Sequence, residues 1–467
     1  MRRWLETHEV VIFVLIGAIF LRIPSLFEPY WYGDEGIYLT IGQALHRGLE
    51  LYKQIHDNKP PFLYLVAALV NGNLFWFRFC ALVVNLCTIF IFAKLASRWQ
   101  SKSNLSLIIF AILTTIPLLE GNIANAELFF ILFTVVSFFI NFVHKKNWHL
   151  VASGLILGLG ALFKIPALLE VAVWPLFWFA SQSQGWFKKS FIFGSAALVP
   201  LLLSIAYFAS RGTLPNYLIA AGIRNVPYLA SWHASVPIIG TLWGRAMVIA
   251  IALVGLWLAR KKLDHKLLLL SLWWLATLFA ALLSGRPYPH YLLQMAPVLA
   301  LTIATARKSW LARGLLGSLA ICFVVFGFYV YPVFSYYGNF LAWVTQQKDR
   351  ASYFQWFNPT TNRDYEIAAI VMPGSKDSDQ IFVWGDVPII YALSKRQPAG
   401  IYTAKYHILD FQAQDQTWQT LKNSPPRYIV TFDHNEDLPG LPVLLGRKYV
   451  LEKDVANAQV YRRLGYN

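Results

Sequence analysis

Acidic and basic side chains are scarce in this sequence, so where they stand is informative. Of 467 residues, 57% are hydrophobic and 14% charged, where a soluble domain carries roughly 25% charged residues. An ionisable group near or inside a bilayer is costly and by default marks a functional site. Glu28, Asp34, Glu35, Glu50, Asp57, Glu120 and Glu127 all fall in connections, or at run ends, that share one side of the apolar runs. Asp34 follows the first run in an aromatic, glycine-rich turn, Tyr-Trp-Tyr-Gly-Asp-Glu-Gly. Partial burial there would raise its basicity, as a general base taking a proton from a hydroxyl requires. Lys59 is a point charge beside Pro60 and Pro61, suited to a phosphate oxygen. Lys164 ends a later run on the same side, and Arg286 and His290 open another, where they could neutralise a phosphate leaving group. The chemistry these residues suit is group transfer at a membrane surface. Taken singly, each has a plainer reading: a solvated loop end for Asp34 and Glu35, snorkelling to lipid headgroups for the cations. Their gathering on one side favours function.

The elements that must carry these groups are membrane spans. Apolar runs near 9–27, 75–97, 105–120, 127–143, 148–164, 166–181, 190–209, 238–259, 267–284, 291–306 and 313–332 are each about long enough to cross a bilayer. The chain therefore reads as an α-helical polytopic membrane protein of about 11 spans. Basic residues fix its orientation. Arg2 and Arg3; Lys94, Arg98 and Lys102; Lys145 and Lys146; Lys188 and Lys189; Arg260, Lys261, Lys262 and Lys266; and Arg307, Lys308 and Arg313 fall on one side. The other side holds only Arg47, Lys53, Lys59, Lys164, Arg211, Arg224 and Arg286. The richer side is cytoplasmic by the positive-inside rule, with the N-terminus. The net charge of +16 follows from this topology and gives no support to nucleic-acid binding, which wants a continuous basic face. Cys80, Cys87 and Cys322 lie in apolar runs, which argues against disulfides and a thiolate metal site.

The first outer connection, about 28–61, is long. Ile37–Leu45 reads as an amphipathic helix lying in the membrane interface, and Pro60 and Pro61 start a second, about 61–72. An odd number of spans puts residues 341–467 outside, as a small extracytoplasmic α/β domain, with 1–340 as the transmembrane part. Helices are expected near 362–372, 387–394 and 410–422, with strands at 380–384, 427–432, 448–452 and 458–463 in a partly parallel sheet. Gly385 and Asp386, and Asp433 and His434, follow the first two strands, as ordinary loop residues or as a ligand site. The connection at 210–237 carries Arg211, Tyr217, Arg224, Asn225, Tyr228, Trp232 and His233. It suits either sugar stacking or an interfacial aromatic belt.

On these residues the chain resembles the GT-C glycosyltransferases of the protein O-mannosyltransferase and lipid A aminoarabinose transferase type. The resemblance rests on Asp34-Glu35 with Tyr38, on Asp57-Asn58-Lys59-Pro60-Pro61, on Asn125-Ala126-Glu127, on Phe163-Lys164 with Pro166, and on Arg286 with Pro289-His290-Tyr291. It implies an outer-face enzyme with a polyprenyl-phosphate-linked sugar as donor and a glycolipid, glycan or protein hydroxyl as acceptor. It implies Asp34 as catalytic acid-base residue, with Glu35 and Glu127 as further acidic positions. Lys59, Lys164 and Arg286 would contact the donor phosphate, and Tyr38, Asp57, His290 and Tyr291 the substrate. Direct attack would invert the anomeric centre, without the flanking carboxylate pair of a glycoside hydrolase. Size and the compact outer domain suit a bacterial plasma membrane. No cofactor is called for. In the aminoarabinose branch the residue before the loop lysine is typically acidic and helps hold a metal. Asn58 stands there in this chain, so a metal would fall to Asp57 or His56, joined by His290 and Glu127. A transporter of lipid-linked glycans is the competing class, with Lys164, Glu170 and Arg245 as its best residues, although transporters gather such groups at the midplane. A non-enzymatic assembly subunit is a third.

Overall fold

The computed structural model describes residues 2–99, 103–144, 146–226, 240–432 and 438–465. Lys102, Lys145, Tyr228, Trp232, His233, Asp433 and His434 lie outside the described residues. The chain divides into two compact units: residues 1–25, 78–214 and 225–334, and residues 26–77, 215–224 and 335–467. The first connection thus shares a unit with the C-terminal segment.

The first unit is helical. Its chain runs through α1 (Arg2–Leu26), α4 (Leu74–Trp99), α5 (Asn104–Thr115), α6 (Ala126–Val143), α7 (Asn147–Ala161), α8 (Val173–Ala180), α9 (Trp186–Ser210), α11 (Leu242–Ala259), α12 (His265–Leu282), α13 (Ala296–Ala306) and α14 (Trp310–Phe326). The short α2 (Gly33–His46) and α3 (Phe62–Leu69) fall between α1 and α4, and α10 (Leu214–Leu218) between α9 and α11. In lipid every backbone N–H and C=O needs an internal partner, and a helix supplies them all. All eleven apolar runs contain helix. Among the described residues six segments are long and apolar enough to cross a membrane: Glu9–Leu26, Leu74–Trp99, Ala126–Val143, Trp186–Ser210, Leu242–Lys262 and His265–Leu282. The shorter helices are interrupted at prolines: Pro117, Pro166 and Pro289 each open a 3-10 segment, where the missing N–H is tolerated at a first turn. α7 and α9 approach closely because Gly154 and Gly158 lie against the backbone of Phe193 and Ala197, the small-residue spacing that lets membrane helices touch.

The second unit holds α2 (Gly33–His46), α3 (Phe62–Leu69), α15 (Val333–Val344), α16 (Arg350–Gln355), α17 (Thr361–Val371), β1 (Gln380–Trp384), α18 (Ile389–Ser394), β2 (Gln397–Pro398), α19 (Lys405–Asp410), α20 (Gln414–Asn423), β3 (Tyr428–Phe432), α21 (Leu441–Lys448), β4 (Tyr449–Val455) and β5 (Ala458–Arg463). Its sheet has the order β2-β1-β3-β5-β4. β1 runs parallel to β2 and β3, with Ile381 opposite Tyr428, and β3 is antiparallel to β5, with Val430 opposite Val460. Alternate residues face two cores, Phe382, Trp384 and Ile429 on one side, Ile381, Val383 and Val430 on the other. The single helix expected near 410–422 is two, α19 and α20, separated at Gln412, whose φ is +52°. α15, α16, α21 and β2 carry no strong sequence signal.

One expectation is overturned. α2 is not an interfacial amphipathic helix: every residue from Glu35 to Ala44 is buried. A Cβ on Gly42 would lie 2.6 Å from the backbone of Ala67, and one on Gly36 2.9 Å from Ile389. The two glycines let α3 and α18 close on α2 from different sides, so its polar residues are taken up inside. Thr40 Oγ1 donates to the Gly36 carbonyl at 2.8 Å, and Gln43 Nε2 to the Ala392 carbonyl at 2.9 Å.

Candidate functional site

In the second unit the site is built around Lys59. The chain reaches it through a tight loop in which Tyr52, at a φ of +67°, donates its N–H to the Ile55 carbonyl at 2.7 Å. The Tyr52 hydroxyl then donates to the Lys59 carbonyl at 2.6 Å, and the Lys59 N–H donates to the Tyr64 hydroxyl at 3.2 Å. Pro60 and Pro61 follow and start α3, their fixed φ suited to a helix entrance. The lysine backbone is thus pinned from both sides. Its ammonium lies 3.7 Å from Asp34 Oδ2 and 3.8 Å from Asp57 Oδ2, and 4.8 Å from the centre of the Tyr38 ring. Closed ammonium–carboxylate pairs sit at about 2.7–2.9 Å, so both pairs are loose.

Asp34 lies in the first turn of α2, where a carboxylate is favoured by the helix dipole. Tyr38, one turn on, donates its hydroxyl to Asp34 Oδ2 at 2.9 Å. The Asp34 side chain keeps 38% of its surface exposed, so its carboxylate meets solvent. Glu35 is buried in the same helix, about 100° further round the helix.

Asp57 is 1% exposed. Tyr64 donates to its Oδ2 at 2.5 Å, and His407 Nε2 lies 3.4 Å from its Oδ1. Burial would push its pKa up, but Lys59, His407, the Tyr64 hydroxyl and the Asn58 amide outweigh it and hold the carboxyl below its usual range. Burial, then the charge of Asp34 and Asp57, raises the Tyr38 phenol; burial, then Asp57, raises Tyr64. Both phenols therefore stay protonated as donors. Burial, then His407, lowers His56 to about 4, and burial lowers His407, so both imidazoles are neutral at neutral pH. Sequence reasoning missed Tyr52, Tyr64 and His407. The aromatics of the 52–64 segment were a usable signal, but His407 lies about 350 residues away in the chain and offered none.

The helical unit gathers a second set of the expected residues. Glu127, at the head of α6, receives a hydrogen bond from Lys164, which follows α7. The Lys164 ammonium lies 4.1 Å from the centre of the Tyr291 ring. Beside Tyr291, His290 Nδ1 is 2.6 Å from Glu120 Oε2, which also accepts from Asn125 Nδ2 at 3.1 Å. Arg22 binds the carbonyl of Gly121, next to Glu120. The connections after α5, α7 and α12 therefore meet at one end of this unit. Lys266, at the start of α12, binds the Trp99 carbonyl at the end of α4, among the basic turns. Arg286 is half-buried, its N–H 3.3 Å from Ser284 Oγ. Arg245 donates to the Leu283 carbonyl at 3.2 Å. Glu170, one of the three residues of the transporter reading with Lys164 and Arg245, is fully buried and receives Trp273 at 2.7 Å, Gln294 at 2.9 Å and Thr134 at 3.3 Å. A carboxyl so enclosed ties three elements together.

Among the described residues no three His, Cys, Asp or Glu side chains are grouped as metal ligands would be. The carboxylates expected to help hold a metal face cations already: Asp57 faces Lys59, and Glu127 faces Lys164.

Comparison with solved structures defines the class of fold. The chain is similar to ArnT, the lipid A aminoarabinose transferase, from Cupriavidus metallidurans, in the form bound to undecaprenyl phosphate. The two are 14% identical over 97% of this chain and 98% of that one, with a TM-score of 0.61. Against the apo form of that protein the identity is 14%, the coverage 97% of both chains and the TM-score 0.61. The oligosaccharyltransferase of Archaeoglobus fulgidus is 12% identical over 91% of this chain and 68% of that one, with a TM-score of 0.47. No family model and no curated protein matches the sequence. The chain is an α-helical membrane protein of GT-C fold with a five-stranded C-terminal sheet.

Proposed function

We propose that this chain is a membrane glycosyltransferase that passes a sugar from a polyprenyl-phosphate-linked donor to an acceptor hydroxyl at the extracytoplasmic face of a bacterial plasma membrane. The observation that carries the reading is the pinned ammonium of Lys59 between the half-exposed carboxylate of Asp34 and the buried one of Asp57. That pairs an accessible proton acceptor with a cation that a phosphate oxygen can reach. The GT-C fold, seen in a protein bound to undecaprenyl phosphate, supports a lipid-linked donor.

In this reading Asp34 Oδ2 takes the acceptor hydroxyl's proton as its oxygen attacks the anomeric carbon. The bond from that carbon to the phosphate oxygen breaks, and its electron pair leaves with the lipid phosphate, whose charge Lys59 offsets. One displacement inverts the centre and needs no sugar–enzyme intermediate or cofactor. The N-terminus is cytoplasmic and the C-terminal segment extracytoplasmic, by the placement of basic turns.

The test is a deletion strain complemented with wild-type protein or Asp34→Asn, with the lipid-linked sugars analysed by mass spectrometry. The deletion and Asp34→Asn should accumulate the same polyprenyl-phosphate sugar, which names the donor. Unchanged lipid profiles, or wild-type transfer by purified Asp34→Asn, would overturn the reading.

A further inference from the structure

We infer that His407 is a positioning residue for the lysine site: it holds Asp57 back from Lys59, so that their pair stays loose and a phosphate can compete for the ammonium. The inference rests on the proposed role of Lys59 and gives the C-terminal segment a part in it. Asp57 uses its two oxygens differently. Oδ2 accepts from Tyr64 at 2.5 Å and faces Lys59 at 3.8 Å, while Oδ1 faces His407 Nε2 at 3.4 Å. Both side chains are buried.

The imidazole is held from the sheet. The Lys405 N–H donates to the Gly385 carbonyl at 3.2 Å, and the Tyr406 N–H to Asp386 Oδ1 at 2.8 Å, which locks α19 to the end of β1. Rings of Tyr406, Phe411 and His56 surround it, with centres 4.2, 5.9 and 6.1 Å away. The His56 N–H donates to the Ile401 carbonyl at 2.8 Å, which ties the lysine loop to the same stretch. Burial keeps His407 neutral, and a neutral ring facing a carboxylate is favourable only if Nε2 carries the proton. At 3.4 Å the contact is longer than a formed hydrogen bond; such contacts tighten when substrate binds. Without it, Asp57 keeps Tyr64 and the Asn58 amide as donors but loses the ring that faces Oδ1, and the carboxylate turns toward the nearest cation, Lys59. Closing that loose pair would set Asp57 in competition with the incoming phosphate.

The test uses full-length protein in nanodiscs and undecaprenyl phosphate as the probe. His407→Phe keeps the ring volume and should weaken binding about tenfold, the worth of one charge-assisted hydrogen bond. His407→Gln places an amide N–H near Nε2 and should restore most of it. In an Asp57→Asn background His407→Phe should cost nothing further, because its effect runs through Asp57. Wild-type binding by His407→Phe, equal loss in Phe and Gln variants, or additive losses would each overturn the inference. Lys59→Ala is the separate arm: if it binds as wild type, the proposed function itself fails. Should His407→Phe not fold, nitrogen NMR of wild type and His407→Gln decides instead. A neutral Nε2–H tautomer for His407 is expected, and an Nδ1–H tautomer or an imidazolium refutes the role.

Discussion

Removing the ammonium of Lys59 separates its structural work from its ligand work. Lys59→Ala leaves Asp57 buried with Tyr64, the Asn58 amide and His407 as its partners but no cation. At about 4 Å an ion pair is worth roughly 4 kcal/mol at an effective dielectric constant of 20, and breaking a buried pair costs about 3–5 kcal/mol. The pair with Asp34 adds about 0–1 kcal/mol, because that carboxylate is screened by solvent. Lys59→Ala should therefore destabilise the folded chain by about 3 kcal/mol, and loss of the phosphate contact should weaken undecaprenyl phosphate binding by about 10–100-fold. In Lys59→Ala/Asp57→Asn the unpaired charge is gone, so stability should largely return while lipid binding stays lost. Thermal denaturation in detergent and lipid titration in nanodiscs measure the two. A double variant that regains both, or a single variant that binds the lipid normally, refutes the assignment of Lys59 to phosphate.

Other outcomes follow from the same geometry. Tyr64→Phe removes a donor to a buried carboxylate, at about 1.5–3 kcal/mol. Asp57 is held low in the folded state, so its contribution is present above its unfolded pKa and fades as pH falls through the folded one; Tyr64→Phe should move acid-induced melting to higher pH. Asp364 is raised by burial to about 6 despite Arg363 beside it, the opposite sign. Its contribution is full below the unfolded pKa and lost as pH rises toward 6, and Asp364→Asn should erase that part of the melting-versus-pH curve. Lys164→Met should cost about 3–5 kcal/mol by stranding Glu127, and Glu127→Gln in the same chain should recover most of it. Purified Lys164→Met/Glu127→Gln assayed with varied lipid donor should still show a raised KM if Lys164 meets the phosphate.

Some of this was legible from residue order and some was not. The apolar runs, the strands at 380–384 and 427–432 and the lysine–diproline turn are local signals, fixed by composition and by proline's missing N–H, and the structure has elements there. The Asp34, Lys59 and Asp57 cluster was approachable because all three lie in one connection. Burial of α2 was not, because a 3.6-residue pattern of apolar side chains looks alike whether the polar face meets water or a second helix. Gly36 and Gly42 were the marks of close approach, and their partners, Ile389 and Ala67, are chosen by tertiary packing. Glu120 with His290, and Asp57 with His407, are pairings across 170 and 350 positions; no period or spacing in a single chain encodes them. The division of 410–422 into two helices turns on one left-handed residue, Gln412, which is not a residue type that announces such a turn.

The sharing of one compact unit by residues 26–77 and 335–467 has a consequence for how the protein is made. The lysine loop leaves the ribosome well before α19 and the sheet strand that α19 is locked to. At ~5–20 residues per second the intervening chain takes on the order of tens of seconds to emerge. Through that interval the Gly36 seam, which α18 fills, stays uncovered while Gly42 already has α3 to pack on, and Asp57 still lacks His407. The Asp34, Lys59 and Asp57 cluster can reach its full set of partners only after α19 has emerged, so a nonsense mutation upstream of α19 leaves Asp57 without His407 although its own loop is complete.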